Sequence, residues 1–240
     1  MWDRPAALRS LANTLFTLAA AGLAAIAVLL VIHLPVFPVR EVLVVGNVSH
    51  VTRNQIEAVV RGELRGNFFT IELESSRAAF EKLPWVRRVN VRRQWPGRLE
   101  VTFEEHAALG RWGEDGLVNT YGELFMAASD EALPLLSGPP DSTHEVTDHF
   151  LGFRQALEPT GRGVAEVALS ARRAWRVRLD DGTTLELGRE LVTPRLARFV
   201  ANWGAFAAVP RHAATVVDLR YPNGFAVRGR DPRAANDNKV

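Results

Sequence analysis

The chain has 240 residues, with 29 Lys+Arg against 27 Asp+Glu, no Cys and 47% hydrophobic residues. That length accommodates one large or two ordinary domains. A formal net charge of +2 lacks the basic excess that a dedicated nucleic-acid binder concentrates on one face. The absence of Cys excludes disulfide scaffolds, thiolate zinc sites and cysteine nucleophiles.

Residues 10–39 contain no Asp, Glu, Lys or Arg, and within 15–34 the strongly polar exception is His33. Twenty helical residues span about 30 Å, the thickness of a bilayer hydrocarbon core. The run has no polar stripe, which a core helix would show. A cleaved signal peptide is the competing reading, since alanines at 19, 20, 21, 24, 25 and 27 permit a small-residue cleavage site. Against it, Val28-Leu29-Leu30-Val31-Ile32 carries the apolar run past every such site. The expectation is an uncleaved anchor over residues 11–36, stopped by Pro35 and Pro38. Arg4 and Arg9 on the ten-residue tail favour a cytoplasmic N-terminus, with the main body on the other side.

Beyond the anchor, residues 39–45 are β-branched and apolar, and Gly46-Asn47 marks a turn. Thr52-Arg53-Asn54-Gln55 has the form of a capping box, after which Ile56, Val59, Val60 and Leu64 fall on one helical face. A second helix is expected from a cap at Ser75 or Ser76, with Ala79, Phe80 and Leu83 as its buried stripe and Pro84 as its stop. Val89 and Val91 alternate with Arg88, Asn90 and Arg92. After the Trp95-Pro96-Gly97 turn, Leu99, Val101 and Phe103 alternate with Arg98, Glu100, Thr102 and Glu104. Odd positions should be buried and even positions exposed. The arginines at 87, 88, 92, 93 and 98 suit either an anionic surface or cross-strand pairing. The expectation is pairing of Arg88 and Arg92 with Glu100 and Glu104.

The order strand, helix, helix, strand, strand resembles a POTRA module. The likeness rests on Phe37-Pro38-Val39 with Val42-Leu43-Val44-Val45-Gly46-Asn47, on Leu83-Pro84-Trp85-Val86 with Val89 and Val91, and on Trp95-Pro96-Gly97-Arg98-Leu99 with Val101.

The second half, residues 106–228, reads as β-rich with helical insertions. A short hairpin is expected around Gly122, and Leu133-Pro134-Leu135-Leu136 leads into a Ser137-Gly138-Pro139-Pro140 loop. Thr147-Asp148 should open a helix burying Phe150, Leu151 and Leu157. Ala165, Val167 and Leu169 alternate, as do Trp175, Val177 and Leu179 with Arg176 and Arg178. Asp180-Asp181-Gly182 turns the chain, and Leu185 and Leu187 return on the same face. Thr193-Pro194 is placed as the cap of a helix carrying Leu196, Phe199, Val200 and Trp203. Val217, Leu219 and Tyr221 then alternate with Val216, Asp218 and Arg220, Pro222-Asn223-Gly224 turns, and Phe225 and Val227 follow. Residues 229–240 are polar without apolar period and read as a disordered tail.

Tail, single anchor, one POTRA module and a mixed β domain together resemble the FtsQ (DivIB) family of bacterial cell-division proteins. The second half adds Ser170-Ala171-Arg172-Arg173-Ala174-Trp175, Leu185-Glu186-Leu187-Gly188-Arg189, Arg195-Leu196-Ala197-Arg198-Phe199 and Val217-Asp218-Leu219-Arg220-Tyr221 with Gly224 and Ala226-Val227. The expected fold class is α+β: a cytoplasmic tail over 1–10, the anchor, a β-α-α-β-β POTRA domain over 37–105 and a β-rich domain with flanking helices over 106–228. The resemblance implies a single-pass inner-membrane scaffold, its C-terminal domains periplasmic, at the division site. It further implies binding of FtsB and, with it, FtsL, and of other division proteins through the POTRA module. The implied contact residues are Arg172, Arg173, Arg220, Tyr221, Gly224, Phe225 and Val227. A terminal strand is also a natural sheet edge, free to pair with a partner segment.

No G-x-S-x-G, H-E-x-x-H or G-x-x-x-x-G-K pattern occurs, and the six His are scattered. No catalytic, metal or cofactor residue is assigned, and no small-molecule substrate or nucleic acid is expected. Two other classes stay open: an anchored extracytoplasmic cell-wall enzyme, and a POTRA-bearing secretion or assembly component. The last usually carries several POTRA copies or a barrel, whereas one copy is read here.

Overall fold

The computed structural model describes residues 5–34, 36–46, 48–114, 116–208 and 215–229. Pro35, Asn47 and residues 230–240, to which the sequence assigned a helix stop, part of a turn and most of the tail, lie outside them. The fold is α+β, in two compact units, Met1–Glu105 and His106–Val240.

Helix α1 (Pro5–His33) contains an apolar window, Arg9–His33, long enough to cross a membrane, and none of that window is buried against protein. Three of its polar side chains bond back to the helix's own carbonyls, which suits a hydrocarbon environment. Thr14 and Thr17 donate to the carbonyls of Ser10 and Asn13, and His33 Nδ1 lies 2.7 Å from the Leu29 carbonyl.

The rest of the first unit is a three-stranded sheet, order β1-β3-β2, with α2 (Arg53–Glu63) and α3 (Leu73–Phe80) packed on one face. β1 (Glu41–Val45) runs parallel to β3 (Arg98–Glu105), and β2 (Val86–Gln94) runs antiparallel to it. The capping box forms: Gln55 N–H donates to the Thr52 hydroxyl, and the Gln55 side chain accepts from Thr52 N–H. Val89, Val91, Leu99, Val101 and Phe103 are all buried, and Phe103 meets Phe80 edge-on at 5.5 Å. Glu105 accepts from the backbone N–H groups of Ser49, His50 and Val51, fixing the approach to α2. Burial alone would raise its pKa, but these donors outweigh burial and hold it below the usual carboxylate range.

Several expectations are corrected. Glu100, an even position, is only 7% exposed; its neighbour across the ladder, Arg92, pairs with it at 2.7 Å and makes that burial tolerable. Glu104 meets Arg87 rather than Arg88, where a register shift between Val86 and Arg88 re-aims the side chains. Arg98 pairs with Glu41 of the neighbouring strand. Helix α3 starts two residues before Ser75, with Glu72 as its cap; the Ser75 and Ser76 hydroxyls bond back to the Glu72 carbonyl.

The second unit is built on a mixed nine-stranded sheet, order β12-β11-β10-β9-β8-β7-β4-β5-β6 among the described residues. Its strands are β4 (Ala108–Trp112), β5 (Gly116–Asn119), β6 (Leu124–Phe125), β7 (Leu135–Ser137), β8 (Val164–Leu169), β9 (Trp175–Leu179), β10 (Thr184–Gly188), β11 (Thr215–Asp218) and β12 (Ala226–Gly229). Helices α4 (Thr143–Leu157), α5 (Val192–Ala201) and α6 (Trp203–Ala207) supply Phe150, Phe153, Leu157, Leu196, Phe199 and Phe206 to a core shared with Val167, Trp175, Val177, Leu179, Leu185, Leu187 and Val217. The solvent face of the sheet carries Arg176, Arg178, Glu166 and Glu186 in cross-strand pairs.

Here too helix starts differ from the sequence reading. Thr147 lies buried inside α4, which begins at Thr143. Helix α5 begins at Val192 after Leu191, whose left-handed φ of 51° makes the turn, so Thr193-Pro194 sits inside the first turn. β11 ends at Asp218, itself buried, so the alternation does not reach Tyr221. Gly229 belongs to β12, opposite Thr215, not to a tail.

Candidate partner-binding edge

The register of the second unit gathers the sequence candidates at one end of its sheet. Leu169 opposes Trp175, Trp175 opposes Gly188, and Glu186 opposes Asp218. The β8–β9 turn carrying Arg172 and Arg173 therefore lies at the same end as Arg220 and the loop into β12. A cavity of about 280 Å³ between them is lined by Ser170, Ala174, Arg176, Glu186, Gly188 and Arg220. Gly188 has φ +73°, and a Cβ there would come within 2.9 Å of the Arg195 guanidinium and 3.2 Å of Arg220 Cγ. Only glycine allows that close approach without strain.

Two of the three arginines are already engaged. Arg173, itself at φ 63°, places Nη2 2.6 and 2.5 Å from the carboxylate oxygens of Glu145 at the start of α4. Arg220 grips Asp218 in a two-point contact, Nε to Oδ1 at 2.8 Å and Nη2 to Oδ2 at 2.6 Å, with Glu186 3.6 Å away. The Arg220 side chain holds the Asp218 carboxyl below the usual range despite burial, and Asp218 in turn raises the Arg220 pKa. Arg172 is exposed and makes no recorded ion pair among the described residues.

The loop from Leu219 to Phe225 is organised from α5. Arg198 Nη2 donates to the carbonyls of Leu219 (3.3 Å), Tyr221 (2.7 Å) and Gly224 (3.4 Å), and Nη1 donates to that of Pro222. Arg195 spans Leu187 and Arg220 in the same way, at 2.7 and 3.3 Å. A loop without its own ladder must satisfy its carbonyls somewhere, and a planar guanidinium offers several donors in one fork. The family resemblance includes Arg195-Leu196-Ala197-Arg198-Phe199 but implies no role for Arg195 or Arg198. Their i, i+3 spacing, which puts both on one edge of α5, was the available signal.

The outcome for the remaining candidates is mixed. Tyr221 is 51% exposed, so its side chain is presented rather than packed as core. Val227, 49% exposed, sits in β12 opposite Val217. Phe225 is half-buried against Phe199 and Phe206, with ring centroids at 5.9 and 6.3 Å, and thus braces the loop. A Cβ added at Gly224 would meet no atom within 4 Å. β12 is the last strand of the sheet, and among the described residues nothing pairs with its outer side. An exposed edge flanked by an aromatic and an aliphatic side chain can accept an extended segment.

Comparison with known proteins agrees with this architecture. Residues 37–106 match the family described as "POTRA domain, FtsQ-type", and residues 110–220 match "Cell division protein FtsQ/DivIB, C-terminal". A "Cell division protein FtsQ" of Nitrosospira multiformis is 47% identical, covering 95% of this chain and 99% of that protein. The protein of the same name from Burkholderia pseudomallei is 40% identical over 99% and 98%, and that from Neisseria gonorrhoeae 31% over 95% of each. Identity of this degree across anchor, POTRA module and β domain leaves one assignment: the chain belongs to the FtsQ/DivIB family of cell-division proteins.

Proposed function

We propose that the chain is a non-catalytic scaffold of the division machinery. It is held in the inner membrane by α1 with its N-terminus cytoplasmic, and it binds FtsB, and FtsL with it, through the β12 edge of its periplasmic β domain. The observation that carries the reading is β12 itself, an outermost strand that exposes Val227 and is preceded by exposed Tyr221 on a loop fixed by Arg198. A partner strand added there takes affinity from backbone bonds and specificity from Tyr221 and the nearby arginines. Arg172 offers its charge to acidic partner groups, while Arg173 and Arg220 must share theirs with Glu145 and Asp218.

The POTRA module offers a second surface for other division proteins. The groove between β1 and α2 encloses about 990 Å³ and is lined by Val42, Val44, Ile56, Val60 and Leu64, with Arg53 and Arg61 at its rim.

Because the chain has no Cys, disulfide trapping is clean. Val227→Cys should crosslink in cells to alternate positions of a Cys-scanned FtsB segment, the period of two expected of a paired strand. Crosslinks at helical spacing, or none, would overturn the edge assignment. A reporter active only outside the cytoplasm, fused after Val240, should be active; activity of a cytoplasmic reporter instead would reverse the orientation.

A further inference from the structure

The anchor helix does not simply lead into the POTRA module; its C-terminal end is bonded to it. Asn67, 7% exposed, donates through Nδ2 to the carbonyls of Ile32 (2.6 Å) and Leu34 (3.0 Å). Its Oδ1 accepts from the N–H groups of Phe69 and Thr70. The last carbonyls of a helix lack partners within it, and here one buried side chain joins them to the 67–71 turn. That turn is held from the other side by Arg93, which donates to the carbonyls of Phe68 and Ile71 at 2.8 and 2.5 Å.

Around this junction lies an aromatic cluster that the protein covers only in part: Phe68 is buried and Phe37 half-buried. Phe37 meets Phe69 edge-on at 5.1 Å, and Trp95 lies 5.7 Å from Phe68 and 6.3 Å from Phe69. Trp95 is 67% exposed and Phe69 41%, and Val36 beside them is also exposed. The β2–β3 hairpin tip carrying Trp95 is tied to the chain leaving the membrane: Arg40 N–H donates to the Gly97 carbonyl at 2.8 Å. Arg40, beside Gly97 of the hairpin tip, and Arg65, two residues before Asn67, are both exposed and make no ion pair among the described residues.

The apolar window Arg9–His33 has 25 residues, about 38 Å of helix, against a hydrocarbon core of about 30 Å. The end of α1 therefore falls at headgroup level. That is the depth at which Trp rings are favoured, since they are apolar in body and polar at one edge, and at which arginines meet lipid phosphates. We propose that Phe37, Phe69 and Trp95, with Arg40 and Arg65, form a lipid-facing surface that seats the POTRA module in the headgroup layer. The hairpin tip is immersed, and Asn67 transmits the tilt of the anchor to the module. The occupant is the bilayer that α1 enters, because the patch is continuous with the helix end.

Gln94 is exposed beside Trp95, and Asn90 is exposed four residues back along the same strand, so both can carry a spin label without touching the aromatic cluster. The full chain would be labelled separately as Gln94→Cys, Asn90→Cys and Ala21→Cys. Each would be reconstituted in vesicles of phosphatidylethanolamine and phosphatidylglycerol, and label depth read from collision with oxygen against a water-soluble nickel chelate. The Ala21 label should be deep; if it is not, the anchor reading fails, independently of this proposal. With Ala21 deep, the Gln94 label should sit in the headgroup region and the Asn90 label in water. Adding Phe69→Ser and Trp95→Ser to Gln94→Cys should shift its label to water while Ala21 stays deep. A Gln94 label as water-exposed as Asn90 in the otherwise unaltered chain would overturn the proposal. So would one shielded from oxygen and nickel alike, which would indicate a protein contact.

Discussion

The guanidinium of Arg198 in α5 lies 2.7 Å from the carbonyl of Tyr221, and this bond joins the helical layer to the loop at the sheet edge. The same side chain serves the carbonyls of Leu219, Pro222 and Gly224, so it holds the loop on both sides of Tyr221. Arg198→Lys keeps the charge but replaces a fork with a point donor that cannot reach all these acceptors. The expected loss is about 2 kcal/mol of stability, the scale of a charged hydrogen bond at a partly buried site. On the proposed edge site it should be accompanied by weaker FtsB capture. Unchanged denaturation midpoints together with full capture would remove Arg198 from this role.

Tyr221→Ala separates binding from folding. Half the side chain is exposed, so stability should change by less than about 0.5 kcal/mol. If Tyr221 anchors FtsB as proposed, an exposed aromatic at the centre of that interface is worth about 2 kcal/mol or more, and Kd for FtsB should rise by roughly 30-fold. Thermal unfolding and titration of the same preparation test both halves. Retained affinity would move the site elsewhere.

Asp218 links the edge to acid sensitivity. Its folded-state pKa is depressed, with the Arg220 side chain as the main cause. A depressed carboxylate contributes stability that is present above its ordinary unfolded value, about 4, and is lost as pH falls through the folded value. Asp218→Asn should therefore be less stable than the parent at neutral pH, and the difference should close below about pH 4. A gap of constant size down to strongly acidic pH would mean that the carboxylate charge is not what stabilises the turn.

In the POTRA module, adjacent residues should behave oppositely. Phe103 is buried against Phe80, and Phe103→Ala should cost about 3–5 kcal/mol. Thr102 points outward from the same strand, and Thr102→Ala should cost less than about 0.5. Denaturant unfolding of the two variants checks the strand register, and equal losses would contradict it.

Which parts were legible from sequence follows from the range of the interactions. Side-chain direction alternates with period two in a strand and 3.6 in a helix whatever the distant chain does. For that reason Val89, Val91, Val101 and Phe103, or Val177, Leu179, Leu185 and Leu187, disclosed their buried faces directly. The Thr52–Gln55 capping box and the uninterrupted apolar run of α1 are equally local. Helix starts were less legible at Thr143 and Val192, where no capping side-chain bond marks the boundary.

The arginines were another matter, because a long flexible cation takes whichever acceptor the fold delivers. Nothing near Arg173 in sequence announces Glu145, 28 positions away, and nothing near Arg198 announces the carbonyls of the 219–224 loop. Glu100 lies on the outward-facing phase of its strand, and its burial depends on Arg92 from the neighbouring strand. Sequence alone disclosed the apolar anchor helix and the two modules, since these rest on hydrophobic pattern and chain order, while the candidate edge came from the family resemblance. Tertiary structure decided that Arg173 is committed to Glu145 and how Tyr221 is held, because those bonds join groups far apart in the chain that only folding brings within 3 Å of each other.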